Sequence, residues 1–325
     1  MCDASSSASL RGRKLYHDVW REVGEVFLHS DRLGDWADWE HRFDEEIDDL
    51  DSARRCIDLM LESLDEAYTR RLTDEEVVER KRLREDTDGA VFSRRLPDGI
   101  GYMRILGFDA DSIVDQVESE LRKIADCDGF VIDLSGNGGG LLDETVNCLE
   151  WVLHEGPVAA VEYREGAGIR RLDTAFVDEA FVQLKIAPDK TEEWEKCKRR
   201  PPLIAGKPVV VIIDGGTASS AEIFAKALLF NGEEDGSVHS VGKRTYGKGI
   251  GQEILKYEDG TRIKVTSIRF FGADDRCFGD AGQSYWNGIT PDEEVDGWNE
   301  QMTAAVAWLK TKLAAAVPLA VSRNA

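Results

Sequence analysis

The sequence has no apolar run long enough to cross a membrane, and no stretch near its start resembles a signal-peptide core. Basic residues are also scarce relative to acidic ones, 41 against 63, so the formal net charge is -22. Such a surface repels the phosphates of nucleic acids and of anionic lipids. These shortages predict a cytoplasmic protein with no membrane span and no nucleic-acid partner.

Cysteine and histidine are few, and neither is spaced as in a metal site. The five histidines form no H-E-x-x-H motif, and the six cysteines form no C-x-x-C pair. The sequence therefore predicts no metal and no cofactor. We expect the cysteines to be buried free thiols; they are Cys2, Cys56, Cys127, Cys148, Cys197 and Cys277.

The spacing of apolar residues divides the 325-residue chain near residue 87. In residues 1–87 apolar side chains recur at helical spacing, which predicts a helical N-terminal region. In residues 88–325 short β-rich segments are followed by alternating strands and helices, and a hairpin is predicted over Glu253–Val265. The predicted fold class is α/β, with βα units and a mixed sheet.

Other segments give weaker signals. Residues 164–200 are charged, and we predict an irregular excursion with a short exposed helix over Thr191–Arg200. Asn299–Ala315 is predicted to be a final helix that packs on the core by an apolar stripe. Trp36 and Trp39 fit a core and an interface equally well.

Two adjacent serines follow a continuous apolar strand. Residues 208–214 predict the strand, and a helix is predicted from Ala221, so Ser219 and Ser220 lie at a strand-to-helix turn. Free N–H groups at a helix N-terminus suit an oxyanion. The glycine spacing is not that of a G-x-S-x-G elbow, and helix capping explains the hydroxyls equally well.

Two further turns are rich in glycine. Ser135–Gly140 follows a second apolar strand, but it lacks the Lys-Ser/Thr of a P-loop and the spacing of G-x-G-x-x-G. Lys248 lies between two glycines just before a predicted strand, where little side-chain bulk surrounds it. Taken alone, these would be a tight turn and a solvated loop lysine.

Together these segments resemble the catalytic core of the carboxyl-terminal processing, or tail-specific, serine peptidases. That family has a crotonase/ClpP-like mixed sheet, in agreement with the predicted fold class. The resemblance extends from about Gly101 to the final helix. It rests on four motifs in the same order as in the family, namely Asp133–Gly140, Thr217–Glu222, Thr245–Gly249 and Gly288–Asp292.

The resemblance assigns a role to each candidate site residue. Ser219 is the nucleophile, Lys248 the general base and Gln252 its assistant, while the N–H groups of Gly139 and Ser220 form the oxyanion hole. A lysine is a base only when it is neutral, so burial has to lower its pKa. We therefore expect Lys248 in a mostly apolar pocket, within hydrogen-bond reach of Ser219.

The chain departs from the family pattern in three places. Ser135 stands where the family commonly has arginine, and the stretch Asn231–Ser240 is enlarged. Members commonly carry a PDZ domain before the core, yet fewer than thirty positions separate Leu72 from Gly101. That is too little chain for a domain, so the usual tail-recognition module is predicted to be missing.

The resemblance implies a protein or peptide substrate, cleaved in unstructured or C-terminal regions. We expect the peptide to bind as an added strand, with Thr261–Ser267 as the candidate sheet edge. The sequence leaves open a homo-oligomer, an activating partner, and a catalytically silent peptide-binding scaffold. A crotonase-like acyl-CoA enzyme and a Ser–His peptidase using His239 are weaker alternatives.

Overall fold

The computed structural model describes residues 2–85, 89–279 and 288–316. The helices are α1 (Cys2–Val26), α2 (Leu50–Glu62), α3 (Asp74–Glu85), α4 (Ile113–Ile124), α5 (Leu142–Leu149), α6 (Ser220–Asn231) and α7 (Trp298–Ala316), with short 3-10 helices at Ser30–Arg32 and Trp36–Trp39. The strands are β1 (Arg70–Arg71), β2 (Val91–Leu96), β3 (Ile100–Ile105), β4 (Gly129–Asp133), β5 (Gly156–Glu165), β6 (Gly168–Val177), β7 (Ala180–Ile186), β8 (Glu192–Lys198), β9 (Val209–Ile213), β10 (Val238–Gly242), β11 (Ile250–Lys256), β12 (Arg262–Phe271) and β13 (Glu293–Glu294).

A six-stranded sheet forms the centre of the fold, in the order β13-β10-β9-β4-β3-β2. All neighbours are parallel except β2 and β3, which form an antiparallel hairpin. Every residue of β4 and β9 is buried, as expected of parallel strands covered on both faces. Helices α4, α5 and α6 contribute to the core on one face and α7 to the core on the other. The predicted α/β class with βα units is confirmed.

A second, seven-stranded sheet is antiparallel throughout, with the order β1-β12-β5-β6-β7-β8 and with β11 paired to β12. Strands β6, β7 and β8 occupy the segment that was predicted to be an irregular excursion. The predicted helix over Thr191–Arg200 is wrong, since Glu192–Lys198 pairs along its whole length with β7. Its seven side chains are all exposed, so the strand carries no alternation of polar and apolar residues.

The helical N-terminal region packs on this second sheet. Val19 of α1 and Ile57 of α2 share a core with Ile263 and Val265 of β12. Trp36 belongs to this core, and its indole nitrogen donates to the carbonyl of Trp20 at 3.1 Å. The predicted division near residue 87 falls within residues 86–88, outside the described part of the chain.

Strand β12 lies inside the second sheet and not at its edge. Strand β11 pairs along one side of it, while β1 and β5 pair with its two ends on the other side. Between those two ends, the carbonyl of Thr266 accepts from Leu28 N and its N–H donates to Thr69 Oγ1. The prediction that Thr261–Ser267 is an exposed edge is therefore wrong.

Three of the described cysteines, Cys56, Cys127 and Cys148, are buried thiols as predicted, whereas Cys197 is exposed on β8. The side chain of Cys2 lies outside the described part of the chain. Within residues 2–85, 89–279 and 288–316, no helix is both long and apolar enough to span a bilayer.

Candidate active site

Ser219 ends the turn that joins β9 to α6. Its backbone has φ 58° and ψ -126°, a conformation that residues with a side chain rarely adopt. The turn is fixed by Asp214, whose Oδ1 accepts from Gly216 N at 2.8 Å and from Gly136 N at 2.9 Å. The same carboxylate thus ties the serine turn to the glycine-rich turn after β4. A strained backbone such as that of Ser219 is typical of functional sites.

The glycine-rich turn packs directly against the serine turn. Gly139 has φ 96°, and a Cβ atom there would lie 2.8 Å from Ala218 O, 2.9 Å from Ser219 Cβ and 3.0 Å from Ser220 N. Real Cβ atoms essentially never show the first two of these distances, and the third is tighter than most real contacts. Glycine is therefore required at this position for both conformation and space.

The two predicted oxyanion donors differ in their hydrogen bonding. Ser220 is the first residue of α6, and its N–H has no acceptor among the residues described by the structure. Gly139 N donates to Asn137 Oδ1 at 2.9 Å. Asn137 is fully buried and donates from its side chain to Ile105 O. In this conformation only the Ser220 N–H is available to a ligand.

Lys248 lies just before β11, and its ammonium is held by Gln252, as predicted. Lys248 Nζ donates to Gln252 Oε1 at 3.2 Å, and Gln252 Nε2 donates to Thr266 Oγ1 at 3.3 Å. No hydrogen bond joins Lys248 Nζ to Ser219 Oγ, so the prediction that the two lie within hydrogen-bond reach is wrong for this conformation. The ring of Tyr68 covers the ammonium, with its centroid 5.1 Å from Nζ.

Burial lowers the pKa of Lys248, as the resemblance requires, and the charge of Arg80 lowers it further. The carboxylates of Glu66, Asp109 and Glu222 act in the opposite direction. The prediction of a mostly apolar pocket is therefore wrong, because the surroundings are aromatic and charged. The net direction is still toward a neutral amine.

Glu222 connects the serine to the lysine. Its Oε2 accepts from Ser219 N at 2.9 Å and from Lys248 N at 2.8 Å. Its Oε1 accepts from Gly247 N at 2.8 Å and from Thr245 Oγ1 at 2.6 Å. Burial raises the pKa of this fully buried carboxyl, and the four donors oppose that rise. The backbones of Ser219 and Lys248 are thus held by one oxygen atom.

The fourth motif supports the loop that carries Lys248. Ile289 N donates to Thr245 Oγ1 at 2.7 Å, and Thr245 N donates to Ile289 O at 3.0 Å. Asp292 Oδ2 accepts from both N and Oγ of Ser240, each at 2.8 Å. Gly288–Asp292 therefore closes one side of the loop between β10 and β11.

An arginine of a neighbouring strand contacts the position at which the family motif commonly has arginine. Ser135 holds that position, and its carbonyl accepts from Arg104 Nη2 of β3 at 3.3 Å. Arg104 Nε lies 3.9 Å from Asp133 Oδ2, and Asp133 also accepts from Tyr102 and Trp298. The guanidinium thus reaches the same turn from a different strand.

His239 does not contribute to this site. Its ring stacks on Trp308 of α7 with centroids 5.1 Å apart, and its Nδ1 lies 3.5 Å from Asp292 Oδ2. The alternative of a Ser–His pair with Ser219 therefore lacks its histidine. Among the described residues, one group could ligate a metal ion, namely His17, His41 and Asp44 in the helical region.

The structure brings together all five site residues predicted from the sequence. Sequence reasoning did not predict the roles of Glu222, Asn137 and Tyr68. Glu222 had a local signal, since it lies three residues after Ser219 within the same motif. Asn137 also had one, since it lies two residues before Gly139 in the motif Asp133–Gly140, whereas Tyr68 had none, because it contacts Lys248 from a distant part of the chain.

Comparison with known proteins gives the family. The model of peptidase family S41 matches residues 99–295. Carboxy-terminal processing protease CtpA of Bacillus subtilis is 29% identical over 188 residues, which cover 57% of this chain and 34% of that protein. A carboxy-terminal-processing protease of Bartonella bacilliformis is 26% identical over 209 residues, covering 62% of this chain and 40% of the relative. The matched region thus spans between a third and two fifths of these relatives.

Solved structures show the same fold. A photosystem II D1 C-terminal processing protease superposes with a TM-score of 0.60 at 17% identity, covering 88% of this chain and 93% of that one. A lipoprotein from Streptococcus agalactiae superposes with a TM-score of 0.63 at 17% identity, covering 94% and 97% of the two chains. The family match covers more than half of the sequence and contains every predicted site residue, so the chain belongs to peptidase family S41.

Proposed function

We propose that the protein is a serine endopeptidase that cleaves unstructured or C-terminal regions of protein substrates, with Ser219 as nucleophile and Lys248 as general base. The observation that carries the proposal is the shared acceptor Glu222 Oε2, which fixes the backbones of both residues. A nucleophile and its base need such fixed geometry, because small displacements cost large factors in rate.

The chemistry follows from the positions of the two residues. Ser219 Oγ attacks the scissile carbonyl, and its proton passes to the neutral amine of Lys248. The lysine returns that proton to the leaving amine as the C–N bond breaks, which leaves an ester on Ser219. Water then attacks the ester with the same lysine as base, and the peptide acid is released.

The oxyanion of each tetrahedral intermediate is held by backbone N–H groups. The Ser220 N–H at the start of α6 supplies one donor, favoured further by the helix dipole. Gly139 supplies the second once substrate competes with Asn137 for its N–H. The Ser220 hydroxyl takes no part, since its Oγ is buried and has no hydrogen-bond partner among the described residues.

Two observations favour a second candidate, a partner-activated or silent peptide-binding protein of the same fold. Lys248 Nζ is hydrogen-bonded to Gln252, and the Gly139 N–H is hydrogen-bonded to Asn137. Both groups must change partners before the chemistry can begin. A protein ligand that draws Lys248 toward Ser219 would then act as an activator.

The test compares the full chain with Ser219→Ala, Lys248→Ala and Ser220→Ala on casein and on unstructured peptides, with products identified by mass spectrometry. We expect cleavage by the wild type and by Ser220→Ala, and none by the other two variants. Cleavage that persists in folded Ser219→Ala would overturn the proposal. A folded wild type with no cleavage would favour the partner-activated protein instead.

A further inference from the structure

A second half-buried lysine lies beside Lys248. The ammonium of Lys264 of β12 lies 5.4 Å from the centroid of the Tyr68 ring, and that of Lys248 lies 5.1 Å from the same centroid. Strand register explains the placement. Lys264 pairs with Ile254 and Thr266 pairs with Gln252, and paired residues share a face of a sheet. Lys264 therefore projects from the face that also carries Gln252.

The opposite face of β12 is not available to substrate. Ile263 and Val265, which alternate with Lys264, are buried in the core shared with α1 and α2. Lys264 is thus presented to the site by a strand whose other face is fixed by the helical region. Such a strand is a rigid support for a binding group.

Helix α3 supplies a second cation at the same place. It has no buried side chain and is anchored at both ends. Glu76 near its start pairs with Arg70, the partner of Lys264 in the sheet, and Arg84 near its end pairs with Asp111. Arg80 lies between the anchors.

The charge of Arg80 acts on both lysines. After burial, it is the next cause that lowers the pKa of Lys248. Burial also lowers the pKa of Lys264, to about 8, and the charges of Lys248, Arg80 and Arg70 contribute to that shift. Arg80 lies one helical turn after Glu76 and so on the same face of α3, the face on which Glu76 pairs with Arg70, the sheet partner of Lys264.

Among the described residues, neither Lys264 nor Arg80 forms an ion pair or donates a hydrogen bond to a carboxylate. Glu76, the carboxylate that raises the pKa of Lys264, is already engaged by Arg70 Nη1 at 2.8 Å and Thr73 N at 2.9 Å. Glu66 is engaged by Thr69 and Thr266. A half-buried lysine and an exposed arginine, neither of them paired with a carboxylate among the described residues, are suited to an incoming anion.

We propose that Lys264 and Arg80 form a subsite for the free C-terminal carboxylate of the bound peptide. The proposal rests on the proposed function for its peptide ligand, and it names residues that would select peptides by their free C-terminus. A carboxylate there gains two charged hydrogen-bond donors and relieves the repulsion between Lys264 and Arg80. The acidic surface elsewhere, with a net charge of -22, disfavours the same group.

The test measures binding, so that it does not depend on turnover. Full-length Ser219→Ala protein is titrated with a fluorescent pool of random 12-residue peptides, made once with free carboxylates and once with amidated C-termini. A third, amidated pool carries glutamate at the penultimate position and separates a terminal carboxylate from an acidic side chain. We expect the free-acid pool to bind about 10- to 100-fold more tightly than the plain amide, the range for hydrogen bonds to a charged group.

Variants assign the preference to the two residues. Lys264→Gln and Arg80→Gln, each made in the Ser219→Ala protein, should reduce the preference to a few-fold or less, and Lys264→Arg should restore part of it. Lys81→Gln on the same helix and Lys256→Gln on β11 remove exposed lysines and should keep the full preference. Folding is checked by circular dichroism in each case.

Three results would overturn the subsite. They are equal binding of the free-acid and amidated pools, no binding of either pool, and a preference for the free acid that survives both Gln variants. A preference for the glutamate pool alone would show that the subsite binds acidic side chains, and it would overturn the proposal that the ligand is a terminal carboxylate. Failure of the proposed function appears separately, as a wild type that does not cleave while its carboxylate preference remains.

Discussion

Gly139 allows the link between the glycine turn and the serine turn to be tested with three alanine substitutions. Gly139→Ala adds a Cβ within 2.8–3.0 Å of Ala218 O, Ser219 Cβ and Ser220 N, at φ 96°. Gly136→Ala has φ 72° but nothing within 4 Å of the added atom, and Gly138→Ala has neither a positive φ nor a contact. The three variants therefore separate backbone strain from collision.

The magnitudes follow from those differences. A left-handed conformation costs a residue with a Cβ about 1–2 kcal/mol, so Gly136→Ala should lose that much stability. Gly139→Ala adds the cost of overpacking, about 1–3 kcal/mol, for a total of about 2–5 kcal/mol. Gly138→Ala should stay within about 0.5 kcal/mol of the wild type.

Urea unfolding gives the stabilities, and kcat/KM on an unstructured peptide gives the activity. Because the collision in Gly139→Ala falls on Ser219 and on the proposed oxyanion donor Ser220, its activity should fall at least about 100-fold at temperatures where it remains folded. Gly136→Ala should keep activity within a few-fold. The reasoning is refuted if Gly139→Ala is as active as Gly138→Ala, since the two turns would then not be in contact as described.

Three further predictions concern single groups. Glu222→Gln places an amide against four donors and should lower kcat about tenfold or more, whereas Glu233→Gln, just beyond α6, should not. Because burial lowers the pKa of folded Lys248, kcat/KM should rise with pH to a midpoint below the ordinary lysine value, and this group's contribution to stability should rise with pH between that midpoint and the ordinary value, where the unfolded chain binds more protons. Arg199→Met should cost about 3 kcal/mol or more in urea unfolding, because three carbonyls after α5 lose their donor, whereas exposed Arg200→Met should cost under about 0.5 kcal/mol.

The sequence predicted the fold well where burial imposes a recognisable pattern of apolar residues along a strand or helix. Val209–Ile213 and Gly129–Asp133 are apolar throughout because helices cover both faces of their sheet, and α4 places Val117 and Leu121 on its buried face. The turns after these strands were predicted because only glycine and small polar residues satisfy their backbone. These signals are local.

The segment 164–200 was mispredicted because its strands bury little. Residues of β8 are all exposed, and glutamate and lysine favour helices when no partner strand is considered. Pairing with β7 satisfies the backbone along the whole strand and outweighs that preference. The site contacts of Tyr68 and Lys264 could not be predicted either, because they depend on distant pairing in the chain: nearly 200 positions separate these two residues.

Strand β12 couples the helical region to the chemistry. Ile263 and Val265 are buried against α1 and α2, while Lys264 and Thr266 alternate with them on the face toward Lys248. A cavity on one face of a strand shifts the residues on the other, because packed elements move as units. Val265→Ala should therefore cost about 1–3 kcal/mol in stability and, although it lies outside the site, reduce kcat/KM several-fold. Unchanged kcat/KM with the expected loss of stability would show that the helical region supports the fold without positioning the site.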